Sequence, residues 1–531
     1  MTNRLVSLAY WINFPTLILC GGCMICYNSH SSFSNMIQEK WAYMGLLILL
    51  IRCMISVFHR KKLVSCPNQI MNSYVLICII EVLIALLQIL HLFKSPNPFY
   101  SFTGSFQNPA EFAMVITICI PICIFNAFNS LGKIKKIWFL IATVMFLFVI
   151  FSESRTCILS IIVSFIIIII YEKVNPLWPI SYRWIFTLVL FLIISLFVLY
   201  YYKRDSADGR LFILLICFKM IASKPLFGWG CHGFDSSYMQ YQADFLRENQ
   251  ESRFYLLAEN ISHPCNEFIL FGVKFGIVGL IIIFAMILYI FRMTIMINNL
   301  NKRLYLCLLN ILIIFSLFSY PFTNVIIWII STYVICSIIC DYSRYHPQIR
   351  SLALGGIFLY ISLIFFKNRK FHHEWIWLKT HISSASTMVK NDKYKTIYQS
   401  LNDNTSFLYN YGVWLYCNDF YKESIEILLK CRTHYDDYYI ELLLADNYRQ
   451  LGNFEQAIES FKTASAMIPN RFLPLYYKML IYRDIGDNLN AYRIAKLILN
   501  KPVKVHGSMA IKNIKHEAEQ LLHSMSLETI M

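Results

Sequence analysis

Two arginines and a histidine are the side chains best placed to do chemistry in this sequence, set among residues that are otherwise mostly apolar. Arg155 lies in SESRTCILS, at the outer end of an apolar run, where a guanidinium points toward lipid headgroups. Snorkelling to the interface accounts for that position as well as headgroup binding does. Arg210 opens DGRLFILLICFKMIASKPLFGWGCHGF, in which Leu211, Phe212, Leu215, Phe218 and Ile221 read as an amphipathic helix able to lie on a membrane surface. With Asp208 as N-cap, Arg210 falls in the first turn, where a cation opposes the helix dipole and is poorly explained as a stabilising device. A guanidinium beside the N–H groups of a helix start would instead suit a diphosphate, which it can grip through two oxygens. His263, in SHPCNEFILFGVKFGIVGL, stands just ahead of the next apolar run and reads as a cap, an interfacial filler or a general base.

Inside the apolar runs, Glu81 and Gln88 share one helix face, and Arg52 lies on the preceding run at a depth from which it can reach Glu81. A structural ion pair is expected there. The 17 cysteines fall mainly in apolar runs, and the closest group, Cys20, Cys23 and Cys26, has the setting of small hydrophobes rather than zinc ligands. There is no GxxxxGK[ST] loop, HExxH or Rossmann glycine fingerprint, so nothing supports nucleotide or zinc hydrolysis and no cofactor or metal is expected. The net charge of +16 sits in short Lys and Arg clusters between apolar runs, the pattern of topology determinants rather than of nucleic-acid binding.

A membrane-embedded frame must position these residues. A chain of 531 residues that is 57% hydrophobic and 15% charged has more apolar surface than a soluble fold would bury. A hydrocarbon core about 30 Å thick takes about 20 helical residues. Runs near that length predict about eleven spans, at 5–27, 40–58, 70–92, 111–130, 137–153, 156–171, 184–202, 267–291, 304–320, 322–340 and 351–366. The first is read as a span, since no small-residue cleavage site follows it. Basic clusters at 60–62, 133–136, 173–183, 292–303 and 344–350 then share one side, the cytoplasm. The loops 93–110 and 203–262, the turn at Arg155 and everything after 366 face outward.

The soluble C-terminal part has an internal period. Residues 438–471 carry Leu444, Ala445, Tyr448, Gly452, Phe454, Ala457, Phe461, Ala464 and Pro469 at the key positions of a tetratricopeptide repeat. Flanking units around 405–437 and 472–503 match through Tyr411, Gly412, Leu415 and Leu428, and through Tyr482, Gly486, Ala491, Ala495 and Ile498. Three tandem units are enough to stack. The expected architecture is all-α: a polytopic helix bundle over 1–366 with a large outer loop at 203–262, a linker or degenerate repeat at 367–404, a repeat solenoid at 405–503 and a tail at 504–531.

The motifs GSFQNPAEFA at 104–113, SR at 154–155, GR and KPLFGWGCHGF within 209–234, and HPCNEF followed by Gly276 and Gly279 resemble, in order and spacing, the landmarks of the O-antigen ligase and polymerase superfamily. Several members, including bacterial O-oligosaccharyltransferases, carry tetratricopeptide repeats after the last span. The resemblance implies transfer of a glycan from undecaprenyl diphosphate to a hydroxyl acceptor (lipid A core, a protein Ser or Thr, or another glycan) at the periplasmic face of the bacterial inner membrane, without metal or nucleotide. It makes Arg155 and Arg210 diphosphate contacts, His263 the candidate base in an inverting displacement, and Asn108 and Asn266 further substrate contacts. In many members a His directly precedes the motif's Asn; here that position is Cys265. Alternatives are an O-antigen polymerase, or a non-catalytic polyprenyl-glycan transporter or assembly scaffold. The repeats lean toward a protein partner or acceptor.

Overall fold

The computed structural model describes residues 32–59, 66–173, 204–249, 252–297, 301–343, 346, 348–383, 386–504 and 507–528. The spans expected at 5–27 and 184–202 lie outside them. In chain order the described helices begin with α1 (Ser32–His59), α2 (Cys66–Ile89), α3 (Pro109–Phe128), α4 (Gly132–Phe151) and α5 (Arg155–Lys173). There follow α6 (Arg204–Ser223), α7 (Gly233–Glu248), α8 (Glu267–Met296), α9 (Lys302–Phe318), α10 (Val325–Ser343) and α11 (Gln348–Asn368). The C-terminal helices are α12 (Phe371–Ile382), α13 (Thr387–Leu401), α14 (Thr405–Cys417), α15 (Tyr421–Arg432), α16 (Tyr438–Gln450), α17 (Phe454–Met467), α18 (Leu473–Asp484), α19 (Asn488–Asn500) and α20 (Met509–Glu528). The chain is all-α over the described residues and divides into two units: Met1–Leu199, Cys265–Glu267 and Ile282–Arg369 form one; Tyr200–Pro264, Phe268–Ile281 and Lys370–Met531 form the other.

The first unit is a bundle of apolar helices. Among the described residues of the chain, seven helical stretches are long and apolar enough to cross a membrane, from Glu39–Phe58 to Arg350–Ile382. This is a multi-pass membrane protein. The expected spans at 156–171 and 304–320 correspond to helices α5 and α9, the latter only 17 residues long with Lys302 and Arg303 at its start. Helix α3 is the most enclosed; Tyr74 of α2 donates to its Val115 carbonyl at 2.6 Å, and Phe102, Phe112 and Phe148 meet edge to face beside it. Helix α4 leaves Leu140, Leu147 and Ile150 exposed, as lipid-facing positions must be.

Glu81 and Gln88 hold the loop that precedes α3. Glu81 accepts from the Ser105 backbone N–H at 2.8 Å and from its hydroxyl at 2.6 Å; the Gln88 amide oxygen accepts from Thr103 and Gly104 N–H groups while its nitrogen donates to the Gly104 carbonyl. These buried polar side chains therefore fix the GSF segment by pairing its backbone, which lipid cannot satisfy.

In the second unit α6 and α7 pack through Phe212, Ile216, Met220, Phe234, Tyr238 and Met239, and the same core takes in Tyr438, Ala464, Met467 and Ile468 from α16 and α17. The C-terminal helices run as successive neighbours, α14 with α15, α16 with α17 and α18 with α19. The turn inside each pair holds a left-handed residue, Asp419, Gly452 and Gly486 in succession, recurring at nearly constant spacing. Helices α12 and α13 pack on each other in the stretch 367–404.

Two elements differ from the sequence reading. Helix α6 begins at Arg204, not after Asp208, because Asp208 pairs with Arg204 at 3.7 Å one turn before it and extends the helix. Arg210 thus sits in the second turn, and the argument from a helix start no longer applies to it. Helix α8, expected as one span over 267–291, is broken at Gly276, whose φ of 65° and ψ of −163° are not helical.

Candidate functional site

The break in α8 and the segment 224–230 make one construction. The turn's Trp229 and Gly230 N–H groups donate to Val273 and Lys274 carbonyls at 2.9 and 2.8 Å, capping the first half of α8. Ile277 and Val278 N–H groups donate to Pro225 and Leu226 carbonyls at 2.8 and 3.2 Å, capping the second half. Gly228 and Gly276 face each other through backbone alone. A Cβ on Gly228 would lie 2.6 Å from the Val273 carbonyl oxygen, and one on Gly276 would lie 2.3 Å from that of Leu226. Both have positive φ, so both needs fall on glycine. The motif KPLFGWG is therefore the clasp that breaks α8, with the Trp229 indole donating to the Met220 carbonyl at 2.9 Å to hold it against α6.

His263 lies in the irregular segment leading into α8 and is half-buried. Burial, and secondarily the positive charge of Lys274, push its imidazole down to about 4. It is neutral at ordinary pH and able to accept a proton. Lys274, on the short half of α8, also pairs with Asp235 at 3.6 Å; burial holds the Asp235 carboxyl up against the pull of Lys274. Arg210 is exposed on α6 in the same unit, and α6 carries exposed Leu211 and Phe218 on its surface, followed by Leu226 and Phe227 in the clasp at 60% and 74% exposure.

The remaining candidates belong to the first unit. Arg155 is the first residue of α5, where its cation faces the positive end of the helix dipole, so helix stability does not explain it. The turn before it is shaped by left-handed Glu153 and by Ser154, whose hydroxyl reaches the Cys157 sulfur at 3.1 Å. Asn108 caps α3 by accepting the Ala110 N–H at 2.8 Å. Asn266 donates to the Leu317 carbonyl at 2.8 Å, and Glu267 accepts from the Phe322 N–H at 3.3 Å, so the start of α8 is stapled to the α9–α10 connection. Cys265, immediately before them, adopts φ of 54°. Asn108 and Asn266 thus have architectural hydrogen bonds in hand. Lys274 was missed in the sequence because it reads as one charge in an apolar span; the signal available was the glycine two residues after it.

An all-helical multi-pass membrane protein is the class these features define. Residues 140–284, about a quarter of the chain, match the model of the family described as O-Antigen ligase. The matched stretch contains Arg155, Arg210, the clasp, His263 and the break at Gly276. Over that stretch the chain is similar to the O-antigen ligase family. No curated protein matches it.

Proposed function

We propose that the protein transfers a glycan from undecaprenyl diphosphate to a hydroxyl acceptor at the periplasmic face of the inner membrane, by a metal-independent inverting displacement. The observation that carries this reading is a neutral, half-buried His263 beside a cation, Lys274, on the segment that precedes a broken membrane helix. Arg210 grips the diphosphate and offsets the charge that grows on it as the glycosidic bond breaks, and the resemblance implies a diphosphate contact for Arg155 too. His263 takes the proton from the acceptor hydroxyl as that oxygen attacks the anomeric carbon. An imidazole at about 4 is a weak base, but an anionic diphosphate docking near Lys274 raises it toward neutrality, so the base strengthens when the donor is bound. Exposed Leu211, Phe218, Leu226 and Phe227 suit the isoprenoid chain or the outer leaflet, which explains why a polyprenyl donor is handled here. The C-terminal helices are read as tetratricopeptide repeats standing in the periplasm.

Purified protein reconstituted with undecaprenyl-diphosphate glycan and candidate acceptors (lipid A core, Ser/Thr protein, glycan) tests the reading. Transfer should proceed in EDTA without nucleotide, and His263→Ala should lower turnover roughly 100-fold with donor binding little changed. Donor binding without transfer to any acceptor would favour a transporter or scaffold instead.

A further inference from the structure

The segment 252–266, which carries His263, has turns but no helix of its own, so its buried backbone groups need other partners. Some come from the segment's own turns, and for residues 256–260 others come from the C-terminal helices, in the same unit as 252–264. Asn470 donates its amide to the Leu256 and Ala258 carbonyls at 3.3 and 3.0 Å. Asn260 donates to Asp437 at 2.9 Å. The Glu259 side chain meets Lys504 at 2.6 Å and Arg471 at 3.4 Å, while its carbonyl accepts from Gln242, which also bonds the Met467 carbonyl at 2.7 Å. Beneath them Phe254 stacks on Phe212 at 5.0 Å and Ala258 is fully buried.

The partners fall in a pattern. Asp437, Asn470 and Lys504 lie 33 and 34 residues apart, at the repeat period, each in the turn that ends one helix pair. One edge of three consecutive helix pairs therefore presents a polar side chain in the same register to one short segment. A solenoid that only displayed a binding groove would have no need of that match. Pinning 256, 258, 259 and 260 leaves three residues to His263, too few for the imidazole to wander far.

We propose that the turn edge of the repeat array is a positioning element of the transfer site: through Asn470, Asp437 and Lys504 it clamps residues 254–260 and so fixes His263. The proposal rests on His263 being the base. Its residues touch neither substrate nor reacting atoms, so they act on the orientation of the base.

The test uses the full chain. Asn470→Ala should accelerate amide hydrogen exchange in 254–263, lower turnover about tenfold or more and leave donor KM within about twofold, because orientation acts on the transition state. Glu259→Ala, a surface change that removes the Lys504 and Arg471 contacts, should do the same to a smaller degree and guards against a buried Asn470 variant that fails to fold. Asp487→Ala removes a cap inside the array, on α19, without touching 254–260, and should leave turnover of the folded protein unchanged. Unchanged exchange in 254–263, or faster exchange with parental turnover, overturns the proposal. A fully active His263→Ala enzyme would remove the base itself, a failure told apart because the exchange result stands regardless of it.

Discussion

Replacing Gly276 with alanine should collapse the clasp that breaks α8. The new Cβ would lie 2.3 Å from the Leu226 carbonyl oxygen and 2.7 Å from that of Pro225, both backbone atoms that cannot swing aside. The φ and ψ of 65° and −163° fall where only glycine is at ease, at a cost of about 1–3 kcal/mol to another residue. Relief by moving the turn breaks the bonds from Ile277 and Val278 to Pro225 and Leu226, each worth about 1 kcal/mol. The total is about 3–5 kcal/mol, and at about 2–4 °C per kcal/mol for a unit of this size the melting midpoint should fall roughly 10 °C. Gly355→Ala is the control: nothing lies within 4 Å of its Cβ position and it sits in helix α11, where alanine adds about 0.5–1 kcal/mol. Thermal unfolding of purified protein in detergent, followed by intrinsic fluorescence, measures both. A Gly276→Ala protein melting within about 2 °C of the parent would refute the reasoning, since either α8 would then continue through 276 or the turn would not be held there.

Arg210→Lys keeps the charge but loses the planar fork and should stay clearly defective in transfer, with Arg210→Ala worse; equal activity of Lys and Arg would remove the diphosphate grip. The pH profile follows His263: with the free imidazole at about 4, kcat/KM should be flat from about pH 6 to 8 on its acid side and fall only as pH drops through about 4, whereas the limb in kcat should lie higher because bound diphosphate favours the imidazolium. An acid limb in kcat/KM near 6.5 that survives in His263→Ala would belong to another group. The same lowered value makes stability fall with acid, since the unfolded imidazole takes its proton at about 6.5 and the buried one only near 4. A phosphatase reporter fused after residue 380 should be active if the repeats are periplasmic; an inactive phosphatase with an active cytoplasmic reporter would invert the topology.

Much of the helical frame was legible because lipid leaves the backbone few choices, and 18 or more apolar residues read as a span. The candidate site residues stand out as types out of place: a cation at an apolar boundary, a histidine before an apolar run. Their roles were less legible. Asn108, a candidate substrate contact, also caps α3; Asp208 reads as a cap and is an ion-pair partner inside α6. Glu81 looked like the counter-ion of Arg52, yet both its oxygens bond Ser105, twenty-four residues on, a partner no local pattern indicates. The reading of Glu81 failed because it needed a neighbour distant in sequence, which periodicity cannot supply.

Helix α8 shows why that matters for function. It runs 30 residues, half as long again as the roughly 20 a bilayer takes, and a sequence window sees one long apolar span. Broken at Gly276, it leaves 20 residues from Ile277 to Met296, a full crossing by itself. The nine residues from Glu267 to Phe275 are thereby released from the membrane-spanning role, and they carry Lys274 and begin four residues after His263. A charged lysine within a continuous span would face a desolvation cost of several kcal/mol; on the near side of a break it pairs with Asp235 and tunes the imidazole. The clasp is thus what makes the polar chemistry compatible with the apolar helix, and it implies that extending the helix through 276 should disable transfer even where insertion into the membrane is normal.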